Sequence, residues 1–138
     1  MKTEIIEYKK LKFQTNAMLD YLELLIDEEN FYDESSYIES ISIMLEFALY
    51  RKPKFLIINK LTSHFKLSKE LFGFTMKTIY SPLKAAGVTK VIMLVDNQAY
   101  EGIYKNIEKI EPFMIAFKSI EEIENWITKK IQTLPNTR

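Results

Sequence analysis

A serine, a histidine and an aspartate follow two apolar runs of the sequence and could perform hydrolysis together. Ser63 and His64 come after FLII at 55–58, and Asp96 comes directly after VIMLV at 91–95. These residue types fit a nucleophile, a general base and the carboxylate that orients the base. A triad is defined by geometry, however, and the sequence has no Gly-x-Ser-x-Gly elbow to present the serine. The alternative interpretation is a histidine on a surface loop and an aspartate that caps the next helix.

Polar residues follow each of three predicted strands, at the sheet edge where ligands bind in parallel α/β folds. Lys118 after a strand is also typical of a response-regulator receiver. However, Asn59 stands where the phosphoacceptor aspartate is required, and an amide cannot form an acyl phosphate. This comparison therefore argues against a receiver and leaves a candidate binding loop. The candidate binding residues are Asn59, Ser63, His64, Ser68, Asp96 and Lys118.

Neither a cofactor nor a metal ion is expected from the motifs of this chain. The sequence has three glycines, one histidine and no cysteine. The glycines form neither a phosphate-binding loop nor a dinucleotide fingerprint. Carboxylates are the main metal ligands left, and DEEN at 27–30 does not have the spacing of a calcium loop.

The charge and length of the chain set limits on its partners and its domain organisation. Basic and acidic residues both number 19, so no overall attraction for nucleic acid is expected. The apolar runs are too short to span a bilayer, and the first ten residues do not fit a signal peptide. We therefore expect a cytoplasmic protein without a membrane span. Residues 1–138 suit one domain, in which 132–138 are expected to fray.

Apolar residues at helical spacing predict four helices. The first covers 37–49 and ends before Pro53. The second is predicted to start after Ser68 as its N-cap, with a kink or break that Pro82 imposes near Tyr80-Ser81. A short third helix is predicted over 99–107.

Three short apolar runs are typical of strands that are buried on both faces of a sheet. They are FLII at 55–58, VIMLV at 91–95 and FMIAF at 113–117. The last helix follows the third run, and Ser119 with Glu122 fits a capping box at its start. The residues of these elements predicted to be buried are Leu56, Ile58, Ile92, Leu94, Ile115, Phe117 and Trp126.

The N-terminal part of the chain fits two templates. Residues 10–14 alternate as a strand does, whereas the apolar positions of 18–26 match either a helix or a strand. We favour a hairpin, because the first strand needs a partner and Thr15-Asn16 supplies turn residues between the two runs. The predicted fold is therefore α/β with a mixed sheet, in which an N-terminal antiparallel hairpin precedes parallel strands with alternating helices.

Aromatic residues are 13% of the chain, and several near the second helix do not fit one buried face. Rim packing around the core is one explanation for them. The other is an apolar groove beside this helix or an interface between two copies of the chain, as in a homodimer. The residues of this candidate groove are Phe65, Phe72, Phe74 and Tyr80.

Segments along nearly the whole chain resemble the small STAS-like domains, whose fold is shared by anti-sigma-factor antagonists and CRAL-TRIO lipid-binding domains. The matching segments are RKPKFLIIN, LKAAGVTKVIML and FKSIEEIENWI. The resemblance implies a STAS-like sheet. Signalling STAS domains also carry a phosphorylated serine in an Asp-Ser motif with a glycine after the central strand. NKLTSHFKLSKEL at 59–71 lacks that motif, so the resemblance does not imply a phosphorylation switch at Ser63 or Ser68.

The sequence thus predicts a non-catalytic binding or regulatory module of the STAS-like type, which contacts a protein partner or a small apolar ligand. The alternative is a small hydrolase that uses Ser63, His64 and Asp96. The hydrolase requires these side chains within hydrogen-bonding reach of one another in a cleft. The binding module requires an apolar groove or a paired subunit surface.

Overall fold

The computed structural model describes residues 3–63 and 65–133, together with all side chains in these ranges except that of residue 133. The described strands form one six-stranded sheet in the order β1-β2-β3-β4-β5-β6. The strands are β1 (Glu4–Tyr8), β2 (Leu11–Asn16), β3 (Tyr21–Leu25), β4 (Phe55–Asn59), β5 (Lys90–Leu94) and β6 (Met114–Phe117).

Helices connect the strands from β3 onwards. A π-helical segment (Thr75–Tyr80) lies between α2 and α3, and a short 3₁₀ turn (Tyr104–Asn106) lies between α4 and α5. The α-helices are α1 (Glu34–Arg51), α2 (Lys69–Phe74), α3 (Ser81–Ala85), α4 (Asn97–Gly102), α5 (Ile107–Ile110) and α6 (Ile120–Thr133).

The sheet is mixed, which confirms the predicted α/β class. β1, β2 and β3 pair in antiparallel fashion, and β3, β4, β5 and β6 pair in parallel. Every strand therefore lies beside its neighbours in sequence. The hairpin at the N-terminus and the parallel strands with helices between them are both as predicted.

The hairpin differs from the prediction in its turn and in an additional strand. Thr15 and Asn16 were expected in the turn but are the last residues of β2, where they pair with Leu22 and Tyr21. The chain reverses after them, and Asp20 takes a left-handed conformation with φ 56°. β1 was not predicted at all, because only one of its faces contacts the core and its side chains are exposed or half-buried.

Helices cover the two faces of the sheet unequally. α1, the α2–α3 segment and α5 contribute to one core, and α6 packs on the opposite face. Alternation along β5 shows the cause: Val91 and Met93 belong to the first core, whereas Ile92 and Leu94 belong to the second. This arrangement explains why β5 is apolar without interruption from Val91 to Leu94.

Four of the seven predicted core residues are at most 4% exposed, namely Leu56, Ile58, Ile92 and Leu94. Ile115, Phe117 and Trp126 were expected to be largely buried but are half-buried. The reason is their position, because β6 is the last strand of the sheet and α6 alone covers this face.

The helix caps follow the predicted residues closely. Ser68 accepts the backbone N–H of Leu71 at 3.1 Å, and Ser119 accepts that of Glu122 at 3.1 Å. Glu122 reaches back one residue further than expected, because its carboxylate accepts the N–H of Lys118 rather than that of Ser119.

The second helix is interrupted where Pro82 was expected to break it. Pro82 has no N–H and its ring crowds the preceding turn, so regular α-helical bonding cannot continue through it. The chain accommodates this with the π-helical segment, and Ser81 donates its hydroxyl to the carbonyl of Met76 at 3.3 Å.

Two further boundaries differ from the prediction. The single helix expected over 99–107 is divided into α4, the 3₁₀ turn and α5, since Ile103 leaves the helical conformation at φ −128°. α6 extends through residue 133, so 132–133 are helical rather than frayed, and the rest of the predicted tail, 134–138, lies outside the described residues.

Candidate functional site

The residues described between β4 and α2, 60–63 and 65–67, lie at the carboxyl ends of the parallel strands. The start of this segment is tied to the sheet because Lys60 donates its N–H to Leu94 at 2.8 Å. Ser63 then donates its N–H to the carbonyl of Lys60, and Ser68 ends the segment as the N-cap of α2. We call residues 60–63 and 65–67 the cover segment.

Ser63 and Asp96, two members of the hydrolase alternative, each have a local structural contact. The hydroxyl of Ser63 accepts the N–H of Phe65 at 3.2 Å, and Asp96 caps α4 by accepting the N–H of Ala99 at 2.8 Å. No hydrogen bond joins Ser63 to Asp96 within the described ranges. The third member, His64, lies outside the described residues.

Lys118 belongs to a separate contact between β6 and α4. Its ammonium group donates to the side-chain oxygen of Asn97 at 3.1 Å and lies 5.2 Å from the centre of the Tyr100 ring. This contact ties the ends of β5 and β6 together, apart from the cover segment.

Asn59, the last residue of β4, turns its side chain to the face that carries α6. Its amide nitrogen donates to a carboxylate oxygen of Glu23 at 2.8 Å, and its amide oxygen accepts the N–H of Leu61. Glu23 is only 4% exposed. Burial raises its pKa, the hydrogen bond from Asn59 opposes this effect, and the nearby charge of Glu124 raises the pKa further.

A small cavity of about 30 Å³ lies beneath the cover segment, on the face of the sheet that carries α1. It takes residues from β4 and β5, from α1 and from the helical segment after Ser68. Ser63 and Phe65 of the cover segment close it. Most of its wall is apolar, and this part includes Phe31, Ile41, Ile58, Phe72, Met93 and Met114.

Six side chains of the cavity wall carry polar groups: Lys60, Ser63, Tyr37, Thr75, Tyr80 and Tyr104. The hydroxyl of Thr75 donates to the carbonyl of Leu71 at 2.8 Å. Since a hydroxyl has one proton, Tyr37 must be the donor in its 2.6 Å contact with Thr75. Burial raises the pKa of Tyr37 to about 12.

Tyr80 differs from Tyr37 and Thr75 because its side chain has no hydrogen-bond partner among the described residues. It is 5% exposed, and its hydroxyl makes no hydrogen bond to the residues that the structure describes. Burial raises its pKa well above the ordinary value, and the neighbouring Tyr37 and Tyr104 add to this. Among the described side chains, the fully buried polar atom without a partner is Nδ2 of Asn16, so the unpaired hydroxyl of Tyr80 is not sealed in the core. Tyr80 lies in the cavity wall, where a ligand or water can be the partner of its hydroxyl.

Lys60 is the charged residue of the cavity wall, and it contacts Tyr104. The ammonium group of Lys60 donates to the hydroxyl of Tyr104 at 3.3 Å and lies 5.6 Å from the centre of that ring. The bond uses one of the three N–H groups of Lys60, so further donors remain on it.

Phe65 closes the cavity by stacking on Tyr37. The two ring centres lie 5.4 Å apart and the ring planes are inclined by 16°. On its other side the Tyr37 ring meets the edge of Phe31 at 6.2 Å. The Tyr37 ring is therefore held by the core, whereas Phe65 belongs to a segment without regular secondary structure.

The structure brings together part of each predicted residue set and separates the rest. Ser63, Phe65, Phe72 and Tyr80 line the cavity. Phe74 packs against the core without contributing to the cavity lining. Ser68, Asp96 and Lys118 take part in the caps and contacts described above, and Asn59 lies on the opposite face.

Sequence reasoning did not identify Lys60, Tyr37, Thr75 or Tyr104 as parts of the site. Tyr37 and Thr75 lie on the buried faces of their helices. The available signal was a hydroxyl on each of two buried helical faces, which makes a hydrogen bond between the helices a reasonable expectation.

A wider groove of about 540 Å³ lies beside Asn59. Exposed side chains of both charges, such as Glu7 and Lys12, form part of its wall. Its most buried amide, Asn30, donates to the carbonyl of Lys10 and to Asp27. The groove thus lacks the unpartnered buried group that distinguishes the cavity.

Among residues 3–63 and 65–133, no three His, Asp or Glu side chains lie close enough to hold a metal ion. No described helix is long and apolar enough to cross a membrane. Comparisons with protein-family models, with curated proteins and with solved structures found no match to this chain. The STAS-like assignment therefore stays a prediction from the sequence segments quoted above.

Proposed function

We propose that this protein is a non-catalytic binding module of the STAS-like type that takes up a small, largely apolar ligand in the cavity beneath the cover segment. The observation that carries the proposal is the hydroxyl of Tyr80. It lies in an apolar cavity wall without a hydrogen-bond partner among the described residues. A ligand with one polar group would supply that partner.

The position of the cavity supports this function. It lies at the carboxyl ends of β4 and β5, where ligands bind in open parallel sheets. Thr75 and Tyr80, the first and last residues of the π-helical segment, both contribute to its wall. Single turns of π-helix are frequent at functional sites, because they shift side chains relative to a regular helix.

The size of the cavity adds one requirement. A volume of 30 Å³ has room for about two water molecules, whereas pockets for drug-sized ligands measure about 300–1,000 Å³. Ligand uptake therefore requires the cover segment to move. Phe65 and Leu67 are its apolar side chains in the cavity wall, and both are half-buried rather than fixed inside the core.

The methionines of the chain provide a direct test by NMR of ¹³C-labelled methyl groups. Met93 and Met114 lie in the cavity wall, and Met18 is 71% exposed in the turn before β3. In a screen of small apolar compounds, a true ligand shifts the resonances of Met93 and Met114 in a saturable manner and leaves Met18 unchanged. If no compound separates the two groups of methionines in this way, the proposed function is wrong.

A further inference from the structure

We propose that the ligand of this cavity is a small aromatic carboxylate. Its ring replaces Phe65 on the face of Tyr37, and its carboxylate is bound by Tyr80 and Lys60. This inference rests on the proposed function and deepens it by naming the chemical class of the ligand.

The stack between Phe65 and Tyr37 indicates an aromatic ring. Tyr37 is 6% exposed, and its ring is fixed by the hydrogen bond to Thr75 and by the edge contact with Phe31. Phe65 is held less firmly, since it is half-buried and lies in the irregular cover segment. Withdrawal of Phe65 would leave a ring-sized space against a fixed aromatic face, which favours offset stacking of another ring.

The polar groups of the wall indicate an anion. Tyr80 has a free hydroxyl proton, and Lys60 has N–H groups beyond the one given to Tyr104. None of the described residues in the wall is an aspartate or a glutamate. A carboxylate accepts from both donors, and hydrogen bonds to a charged group are the stronger kind.

Other ligand classes fit these groups less well. A hydrocarbon leaves the Tyr80 hydroxyl unpaired in an apolar environment, which is costly. An amine brings a positive charge next to the ammonium group of Lys60. An alcohol satisfies Tyr80 but does not neutralise Lys60.

Four probes with the same ring test the head group: benzoate, benzyl alcohol, toluene and benzylamine. Affinities are measured by titration of the Met93 and Met114 methyl resonances. We expect benzoate to bind at least about tenfold more tightly than toluene, the effect of one hydrogen bond to a charged group. We expect benzylamine to bind most weakly.

Matched variants test whether Tyr80 and Lys60 donate hydrogen bonds to the carboxylate. Tyr80→Phe and Lys60→Met should each weaken benzoate by about tenfold and leave toluene nearly unchanged. Tyr50→Phe and Lys66→Met serve as controls, because both parent side chains are exposed and lie outside the cavity wall. Equal affinity of the wild-type protein for benzoate and toluene would overturn the carboxylate inference while leaving the cavity as a ligand site.

Phe65→Ala tests the replacement of the ring. Removal of the competing side chain should strengthen the binding of benzoate and toluene alike, because neither ligand then has to displace it. Phe74→Ala is the control, because Phe74 is half-buried like Phe65 but lies in α2, outside the cavity wall. Unchanged affinities in Phe65→Ala would show that the ligand ring does not replace Phe65. If no probe shifts Met93 and Met114, either in the wild-type protein or in Phe65→Ala, the proposed function itself fails.

Discussion

The carboxylate of Glu23 accepts a hydrogen bond of 2.8 Å from the side-chain amide of Asn59, across the parallel pair β3 and β4. Both side chains lie on the face that carries α6, opposite the cavity. Glu23 is nearly inaccessible to water, and the acidic Glu124 of α6 lies close enough to raise its pKa. A buried acid beside a second acid makes the stability of the fold depend on pH.

The first prediction concerns this pH dependence. Since the pKa of Glu23 is raised above its ordinary value of 4.5, the folded state binds more protons than the unfolded state as the pH rises from that value. The contribution of Glu23 to the free energy of unfolding therefore decreases as the pH rises above 4.5. Glu23→Gln keeps an oxygen for Asn59 and should be more stable than wild type at pH 7, but not at pH 4. Urea unfolding at both values measures this difference.

Glu7→Gln is the control for that experiment, because Glu7 is exposed on β1. A Glu23→Gln variant whose stability relative to wild type is the same at both pH values would contradict the prediction.

The second prediction concerns the core beneath α6. Ile92 is 0% exposed and packs with Ile123 and Ile127. Ile92→Ala should lower the free energy of unfolding by about 2–5 kcal/mol, through lost burial and a cavity. Ile5→Ala, at a position 69% exposed on β1, should change it by less than about 0.5 kcal/mol. Denaturant unfolding measures both, and equal losses would contradict the burial of Ile92 beneath α6.

The third prediction concerns the end of the cover segment. Ser68→Ala removes the oxygen that accepts the N–H of Leu71 and should cost about 0.5–2 kcal/mol of stability. Ser35→Ala, in the exposed first turn of α1, is the matched control and should have little effect. Thermal unfolding compares the two variants, and an unaffected Ser68→Ala would show that the cap does not stabilise α2.

The fourth prediction concerns the bond between α1 and the π-helical segment. Tyr37→Phe removes the donor to Thr75 and should cost about 1 kcal/mol, as for a typical buried hydrogen bond. Tyr50→Phe, with 80% exposure on the same helix, should be neutral. In a cycle with Thr75→Val, the double variant should lose less stability than the sum of the single variants. Simple additivity would show that the two hydroxyls do not interact.

The elements with strong periodicity were predictable from the sequence, and those that depend on distant contacts were not. β4, β5 and β6 were found because each contains an uninterrupted apolar run, as is typical of strands covered on both faces. β1 could not be found in this way, since Ile5 and Glu7 lie on an exposed face and its pairing with β2 depends on the rest of the sheet. The same holds for Asn16, a turn residue by type that ends β2 in the structure.

The candidate site was predictable only as a region. Position after β4 pointed to the cover segment, because strand ends are where parallel sheets bind ligands. The partners of that segment, Tyr37 and Tyr104, come from elements that are distant in sequence. Their approach depends on how α1 and the 3₁₀ turn pack on the sheet. The buried contact of Glu23 was not predicted for a related reason. Its partner, Asn59, is identified only once β3 and β4 are paired.

The order of the strands has a consequence for how the chain folds. Because every strand pairs only with its neighbours in sequence, each pairing closes a loop no longer than one connecting turn or helical segment. Short loops cost little entropy to close, and topologies with local contacts fold faster than those with distant pairings. The sheet can therefore grow one strand at a time, with each new strand adding to an edge that is already formed.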